Sequence, residues 1–248
     1  MYENTFNGIY GSFHDLDSEF MPQDRQETYE LNCKRNINWE YKSIKVHYKF
    51  NELGHRCVSP SELDNDYILY TGCSHTLGIG LAKEHTYTDI VATILGKSYY
   101  NLSISGSGPD MIFQNVFSFL SYVKKKPSSI VIQWPAFHRF FYINNDRIEF
   151  LNASSTEEIW NFMAGNDFAN RKNYHCRLIL LDILNNMGIT NIYEIFDETD
   201  LPPSITPSSV ATKKVFFWYN EPLDFARDVC HPGRLSNIDH AKRLLAVM

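Results

Sequence analysis

Tyr67-Ile68-Leu69-Tyr70-Thr71-Gly72-Cys73-Ser74-His75-Thr76-Leu77-Gly78-Ile79-Gly80 is the stretch on which the reading of this chain turns. Its first five residues are an almost unbroken apolar run, which suits a parallel strand buried on both faces. Gly72 ends the run, and Gly78 and Gly80 follow, so the backbone can turn tightly. A serine placed there presents its hydroxyl beside backbone N–H groups that no strand partner uses. Taken alone, the segment is an ordinary strand-to-loop turn.

The pattern downstream repeats the alternation. Thr86 to Leu95 suits a helix closed by Gly96, and Tyr99 to Ile104 a second strand ended by Gly106. Pro109 opens a helix in which Met111, Ile112, Val116, Phe119, Leu120 and Val123 recur at helical spacing. Ser129 to Trp134 is a third strand. Phe140 to Leu151, around Asn144-Asn145-Asp146, reads as a hairpin added to the main sheet. Helical periods follow at Glu157 to Met163 and at Asn173 to Met187, the latter closed by Gly188. Ile192 to Phe196 and Val215 to Tyr219 are further strands, separated by the Pro- and Ser-rich loop Pro202 to Ser209, and Ile238 to Val247 is a last helix capped by Ser236 or Asn237. Strands alternating with helices predict an α/β fold with a mainly parallel sheet of about five strands covered on both faces. In such folds ligands bind at the carboxyl ends of the strands, where the polar residues after Thr71, Ile104 and Trp134 fall. Residues 1–62 are polar, aromatic-rich and interrupted by Pro22 and Pro60, so they read as an irregular extension packed on a domain of residues 63–248. Within the extension, Trp39 to Phe50 reads as a strand or hairpin arm.

Composition narrows the function classes. The chain has 248 residues, 44% of them hydrophobic, enough for one substantial core. A formal net charge of -6 gives no basic field for nucleic acid or an anionic membrane. The run Lys124 to Lys126 suits the solvated end of a helix. The five cysteines are scattered without a C-x-x-C pair, which argues for reduced thiols and against both a disulfide framework and a zinc site. The first ten residues lack the basic start and apolar run of a secretory signal, and no segment has the length of a membrane span. A cytoplasmic protein is expected; export without such a signal and packaging in a virus particle stay open.

A second polar cluster stands near the other end, Asp228-Val229-Cys230-His231-Pro232-Gly233. A carboxylate three residues before an imidazole can accept the Nδ1 proton and leave Nε2 to take a proton from a serine. An isolated D-x-x-H is also a common surface turn. The Gly72 to Gly80 segment is not a G-x-S-x-G elbow, because Thr76 stands two residues after Ser74. Cys73, His75, Cys230 and His231 do not match ordinary zinc-ligand spacing, and no metal or other cofactor is expected.

Read in order, these pieces resemble the SGNH (GDSL-type) esterase superfamily over most of the chain, from about Asn51 to Met248. Gly72-Cys73-Ser74-His75-Thr76 with Gly78 and Gly80 looks like its first block, and Asn101 to Gly106 like its second. Asp228-x-x-His231-Pro232-Gly233 looks like its last. Asn51-Glu52-Leu53-Gly54-His55-Arg56 is similar to an N-x-x-G-x-R element that precedes the nucleophile strand in many members. The resemblance implies a flavodoxin-like three-layer α/β/α sandwich and a triad of Ser74, His231 and Asp228. It also implies an oxyanion hole from the N–H groups of Ser74 and Gly106.

Two departures stand out. Cys73 replaces the usual Asp, which is not a triad member. The third block, whose Asn donates to the oxyanion, is missing, and the strand runs into Gln133-Trp134-Pro135-Ala136-Phe137-His138-Arg139. Loss of one oxyanion donor costs about 10²–10³ in turnover, so Arg139, or Trp134 through its indole N–H, is a candidate substitute; a packed rim is an equal reading of both. His75, adjacent to Ser74, is passed over as base because neighbouring side chains after a strand usually point apart. The implied activity is hydrolysis of an O-acyl ester, O-acetylated carbohydrate being the favoured substrate. Trp134, Phe137, Phe140, Phe141 and Trp218 are either sugar platforms or core. Acyl transfer with the same triad is the enzymatic alternative, and a glycan-binding or virion-associated module on the same scaffold the non-catalytic one.

Overall fold

A computed structural model describes residues 5–6, 8–35, 38–144, 147–151, 168–197, 210–217 and 221–248. The first of these segments carry two-residue strands β1 (Thr5–Phe6), β2 (Ile9–Tyr10) and β3 (Asp17–Ser18), helix α1 (Gln26–Arg35) and β4 (Tyr48–Lys49). The run that stops at Gly72 is β5 (Tyr67–Thr71), every residue of it buried. After it come α2 (Ser74–Leu77), α3 (Tyr87–Leu95), β6 (Ser98–Asn101), α4 (Pro109–Tyr122), β7 (Ser129–Gln133), β8 (Phe140–Asn144) and β9 (Arg147–Leu151). The chain then forms α5 (Phe168–Asn186), β10 (Ile192–Asp197), β11 (Lys213–Phe217) and α6 (Arg234–Leu245).

Five strands make one sheet in the order β11-β10-β7-β5-β6, all neighbours parallel. Alternation of side chains across the pleat divides the core in two. On one face Leu69, Ile130 and Ile132 pack with Ile112, Val116 and Phe119 of α4 and Leu180, Leu181 and Leu184 of α5. On the other, Ile68, Tyr70, Val131 and Ile195 meet Val91 of α3 and Ala241 and Leu244 of α6. Each such Leu, Ile, Val or Phe side chain, fully buried, contributes about 1.5–3 kcal/mol. This is the expected three-layer α/β/α sandwich with a central parallel sheet. The order reverses between β6 and β7 on either side of β5, so the switch point, where ligands bind in such sheets, lies at the end of β5.

Several elements differ in extent from the sequence reading. The hairpin β8–β9 forms, but as a separate two-stranded sheet that does not join the main one. Helix α6 starts at Arg234, ahead of Ser236 and Asn237, because Asp224 reaches back to accept from the backbone N–H groups of Leu235 and Ser236. Trp39 to Phe50 is a short 3-10 turn, an irregular stretch and β4, which pairs with β3. The expected helix at Glu157 to Met163 and the loop Pro202 to Ser209 lie outside the described residues. No helix among the described residues is long and apolar enough to cross a membrane.

One polar group sits in the middle of the sheet. Glu194 of β10 is fully buried, bound by two hydrogen bonds from Arg177 (2.6 and 2.8 Å), by the Trp134 indole N–H (2.9 Å) and by the Thr212 hydroxyl (2.6 Å). Breaking such a pair leaves an uncompensated buried charge, so Arg177→Met is expected to lower unfolding free energy by about 3–5 kcal/mol in urea titration.

Candidate active site

Ser74 is the first residue of α2, three residues past the end of β5. A helix N-terminus leaves its first N–H groups without intrahelical acceptors, and the Ser74 N–H donates to no other group among the described residues. The turn is tight: a Cβ at Gly72 would lie 2.4 Å from Thr76 Oγ1 and 2.8 Å from Gln133 Oε1. Ser74 itself keeps 8% exposure.

Gln133, the last residue of β7, anchors this turn. Its Oε1 accepts from the Cys73 N–H (3.0 Å), from the Cys73 thiol (3.2 Å) and from Thr76 Oγ1 (3.3 Å). Asn101 at the end of β6 donates to the Thr76 carbonyl at 2.8 Å. The parallel ladder continues past β6, with Leu102 N–H on Tyr70 O and Ile104 N–H on Gly72 O, and Ser107 Oγ also donates to Gly72 O. Gly106, at φ 80, thus sits in the turn that follows this extension, and its N–H donates to no group among the described residues.

The C-terminal end of α2 is held from residues 1–62. Arg56, 3% exposed, donates to the carbonyls of Leu77 (3.3 Å), Gly78 (2.6 Å), Leu81 (2.7 Å) and His47 (3.0 Å). Asn51 folds the segment that carries it, accepting from the N–H groups of Leu53 and His55 and donating to Val58 O and the Tyr100 hydroxyl. The Tyr10 carbonyl can only accept, so His55 Nε2 donates to it and Nδ1 accepts from Tyr100. Burial pushes the His55 imidazole down to about 3.

Asp228 and His231 share one loop. His231 Nδ1 is hydrogen-bonded to Asp228 Oδ2, while Asp228 Oδ1 accepts from the N–H groups of Cys230 (3.3 Å) and His231 (3.2 Å). Val229 between them adopts φ 56, a left-handed conformation unusual for a β-branched residue. The loop packs onto the serine turn: Arg227 N–H donates to Gly80 O at 3.0 Å, and a Cβ at Gly80 would lie 3.0 Å from Asp228 Oδ1.

The His231 ring meets His75 edge-on, centroids 5.4 Å apart. Among the described residues Ser74 Oγ makes no hydrogen bond to His231, whose imidazole rests on His75. Burial first, and then the electrostatic influence of the neighbouring His231, Arg139 and His240 side chains, holds the His75 imidazole well below its ordinary value, so it is neutral beside His231. Arg139 is therefore close enough to act electrostatically on the residue after Ser74, and its Nε is buried without a hydrogen-bond partner among the described residues.

Other sequence candidates fall elsewhere. The Trp134 indole N–H is spent on Glu194, which removes it as an oxyanion donor. Trp134, Phe137 and Phe140 are 2%, 6% and 2% exposed, so they are core and not sugar platforms. Trp218 lies outside the described residues. Gln133, Asp24, Tyr48 and Arg227 were not singled out by sequence, although a Gln ending an otherwise aliphatic strand is a visible signal. No group of three His, Cys, Asp or Glu among the described residues is arranged to hold a metal ion.

No family model and no curated protein sequence matches this chain. Solved structures do resemble it. A carbohydrate esterase family 2 enzyme with a carbohydrate binding domain, from Corynascus thermopiles (Myceliophthora fergusii), is 14% identical with a TM-score of 0.49, covering 76% of this chain and 67% of its own. The acetyl xylan esterase Est2A from Butyrivibrio proteoclasticus is 15% identical with a TM-score of 0.48, over 73% of this chain and 63% of its own. A member of the lipolytic protein G-D-S-L family from Veillonella parvula is 13% identical with a TM-score of 0.46, over 73% and 97%. The chain thus spans about two thirds of the length of the first two.

Two outcomes test this geometry. Gln133→Leu leaves the buried Cys73 N–H without an acceptor and is expected to cost about 1–3 kcal/mol in chemical denaturation. The folded His55 titrates below the unfolded 6.5, so below that pH the unfolded chain binds a proton the folded one refuses. Its stabilisation is complete above pH 6.5 and is lost as pH falls toward about 3, with a slope of at most about 1.4 kcal/mol per unit. Unfolding titrations across pH 4–7 should show that slope in the native chain and a shallower one in His55→Gln.

Proposed function

We propose that this chain is a serine hydrolase of O-acyl esters. In this reading Ser74 attacks the carbonyl carbon while His231 Nε2 removes its proton, and Asp228 stabilises the imidazolium through Nδ1. The C–O bond to the alcohol breaks as His231 returns the proton to the leaving oxygen. Water, deprotonated by the same imidazole, then releases the acid from the acyl-enzyme. The observation that carries the reading is the Asp228 carboxylate gripping His231 Nδ1 on a loop bonded to the backbone six residues after Ser74. That grip fixes the tautomer in which Nε2 is free to act as a base. Hydrogen bonds of this kind are often long or open without substrate and tighten in the reacting complex.

The oxyanion in this reading lies between the N–H groups of Ser74 and Gly106, neither of which is spent on another acceptor among the described residues. Arg139 supplies the charge that the missing Asn does not, a role supported by its electrostatic reach to His75 and its unsatisfied Nε. The substrate we propose is an O-acetylated carbohydrate; that choice rests on the sequence resemblance, since of the aromatic residues first considered as platforms Trp134, Phe137 and Phe140 are buried and Phe141 is half-buried.

Labelling with a fluorophosphonate, alongside hydrolysis of an aryl acetate and an acetylated glycan, tests the proposal. The native chain is expected to label and turn over, and Ser74→Ala to lose both. Asp228→Asn is expected to lower kcat by about 10⁴-fold. Equal hydrolysis by native and Ser74→Ala protein overturns the serine mechanism, and absence of labelling in the folded native chain favours a binding module.

A further inference from the structure

Gly80 is the point at which the backbones of the loops bearing Ser74 and Asp228 are hydrogen-bonded, and residues 1–62 grip that point. Arg227, next to Asp228, donates its N–H to Gly80 O (3.0 Å). Its guanidinium is paired with Asp24, Nη2 to Oδ2 at 2.7 Å and Nε to Oδ2 at 3.0 Å. The Tyr48 hydroxyl donates to Asp24 Oδ2 (2.6 Å) and accepts from Gly80 N–H (2.8 Å). These contacts close a ring: Arg227 backbone, Gly80, Tyr48, Asp24, Arg227 side chain. All four side chains or backbones are out of water, with Asp24 at 1%, Tyr48 at 0% and Arg227 at 3% exposure. The ring has little freedom. Gly80 holds φ 76, and a Cβ there would lie 2.8 Å from Ala226 Cβ, so the two loops approach as closely as their backbones permit. The Arg227 guanidinium is further held over the rings of Phe20 (4.5 Å) and Tyr29 (5.4 Å), and that of Arg56 over Tyr48 (4.5 Å).

From this we infer that Asp24 and Tyr48 are positioning residues for the triad: the Arg227–Asp24–Tyr48–Gly80 ring sets the register of the Asp228–His231 loop against the Ser74 turn. The inference rests on the esterase reading of the site. Neither residue reaches the reacting atoms; both act through Gly80 and Arg227. Buried hydrogen bonds of this kind, one of them to a charged pair, resist displacement because an opened ring leaves its members without water to replace the lost partners. A shift of about 1 Å in a base relative to its nucleophile is enough for about 10²-fold in rate.

Tyr48→Phe opens the ring with the smallest change of shape, and Asp24→Asn removes the charge that holds Arg227. Tyr41→Phe is the matched control, since Tyr41 is buried in the same cluster and its hydroxyl takes no part in the ring. The assay is steady-state hydrolysis of an aryl acetate by the full chain, with thermal melting and hydrogen exchange of the segment spanning 224–233. Tyr48→Phe is expected to stay folded and to lose about 10- to 100-fold in kcat with KM within about twofold, its 224–233 segment exchanging faster. Asp24→Asn, where it folds, is expected to behave alike, and Tyr41→Phe to match the native chain. Native turnover with Tyr48→Phe at native kcat, or an equal loss in Tyr41→Phe, overturns the positioning role alone. A native chain that neither labels with fluorophosphonate nor turns over ester overturns the esterase reading and the positioning role with it.

Discussion

Irregular backbone in a place short of water must find partners for its N–H and C=O groups, and the site at the carboxyl edge of the sheet is organised by that requirement. The turn after β5 leaves the ladder at Gly72, and from there side chains replace strand partners. Gln133 takes the Cys73 N–H, Asn101 the Thr76 carbonyl, and Arg56 the carbonyls of Leu77, Gly78 and Leu81. The other loop is served in the same way, with Asn237 donating to the carbonyls of Pro232 and Gly233 while accepting from Tyr87 N–H. Polar side chains without reactive roles therefore outnumber the three of the proposed triad. Their cost of burial is offset because each makes two or more hydrogen bonds there.

The same requirement explains what the extension does. Met21, Tyr41, Val46, Tyr48 and Phe50 pack against Leu77, Ile79, Leu81 and Ala226, which covers the apolar side of the serine turn and of the loop before Asp228. A short helix such as α2 has too few hydrogen bonds to persist alone. The apolar cover excludes water, and the polar residues within the cover then supply the bonds that water would have made. Residues 1–62 thereby belong to the architecture of the site as much as the sheet does.

How much of this was legible follows from the range over which each signal acts. Period-two and apolar-run patterns depend on a residue's own neighbours, so the strands, and α3 with Gly96 as its close, were readable. The start of α6 was misplaced because its cap, Asp224, is ten residues upstream of Arg234 and only the folded loop brings it there. Helix α1 has no buried residue and so no apolar stripe to mark it. Trp134 reads as a free donor until Glu194, sixty positions later, is seen to take its N–H. Local pattern locates the reactive residues; the groups that aim them come from far along the chain, and spacing says nothing of them.

Within the proposed triad one residue carries more than its chemical role. Asp228 uses Oδ2 on His231 Nδ1 and Oδ1 on the backbone N–H groups of Cys230 and His231, so a single carboxylate both shapes the loop and orients the imidazole it carries. The shape has a cost, because Val229 is held at φ 56, where an L-residue loses about 1–2 kcal/mol. Such strain persists only where surrounding contacts outweigh it, and here those contacts are the carboxylate's own bonds, the Ala226 to Val229 turn and the Ala226 N–H on His231 O. The loop is therefore held against its own backbone preference, and the direction of the imidazole is set by the carboxylate that also holds the loop rather than by a freely rotating side chain.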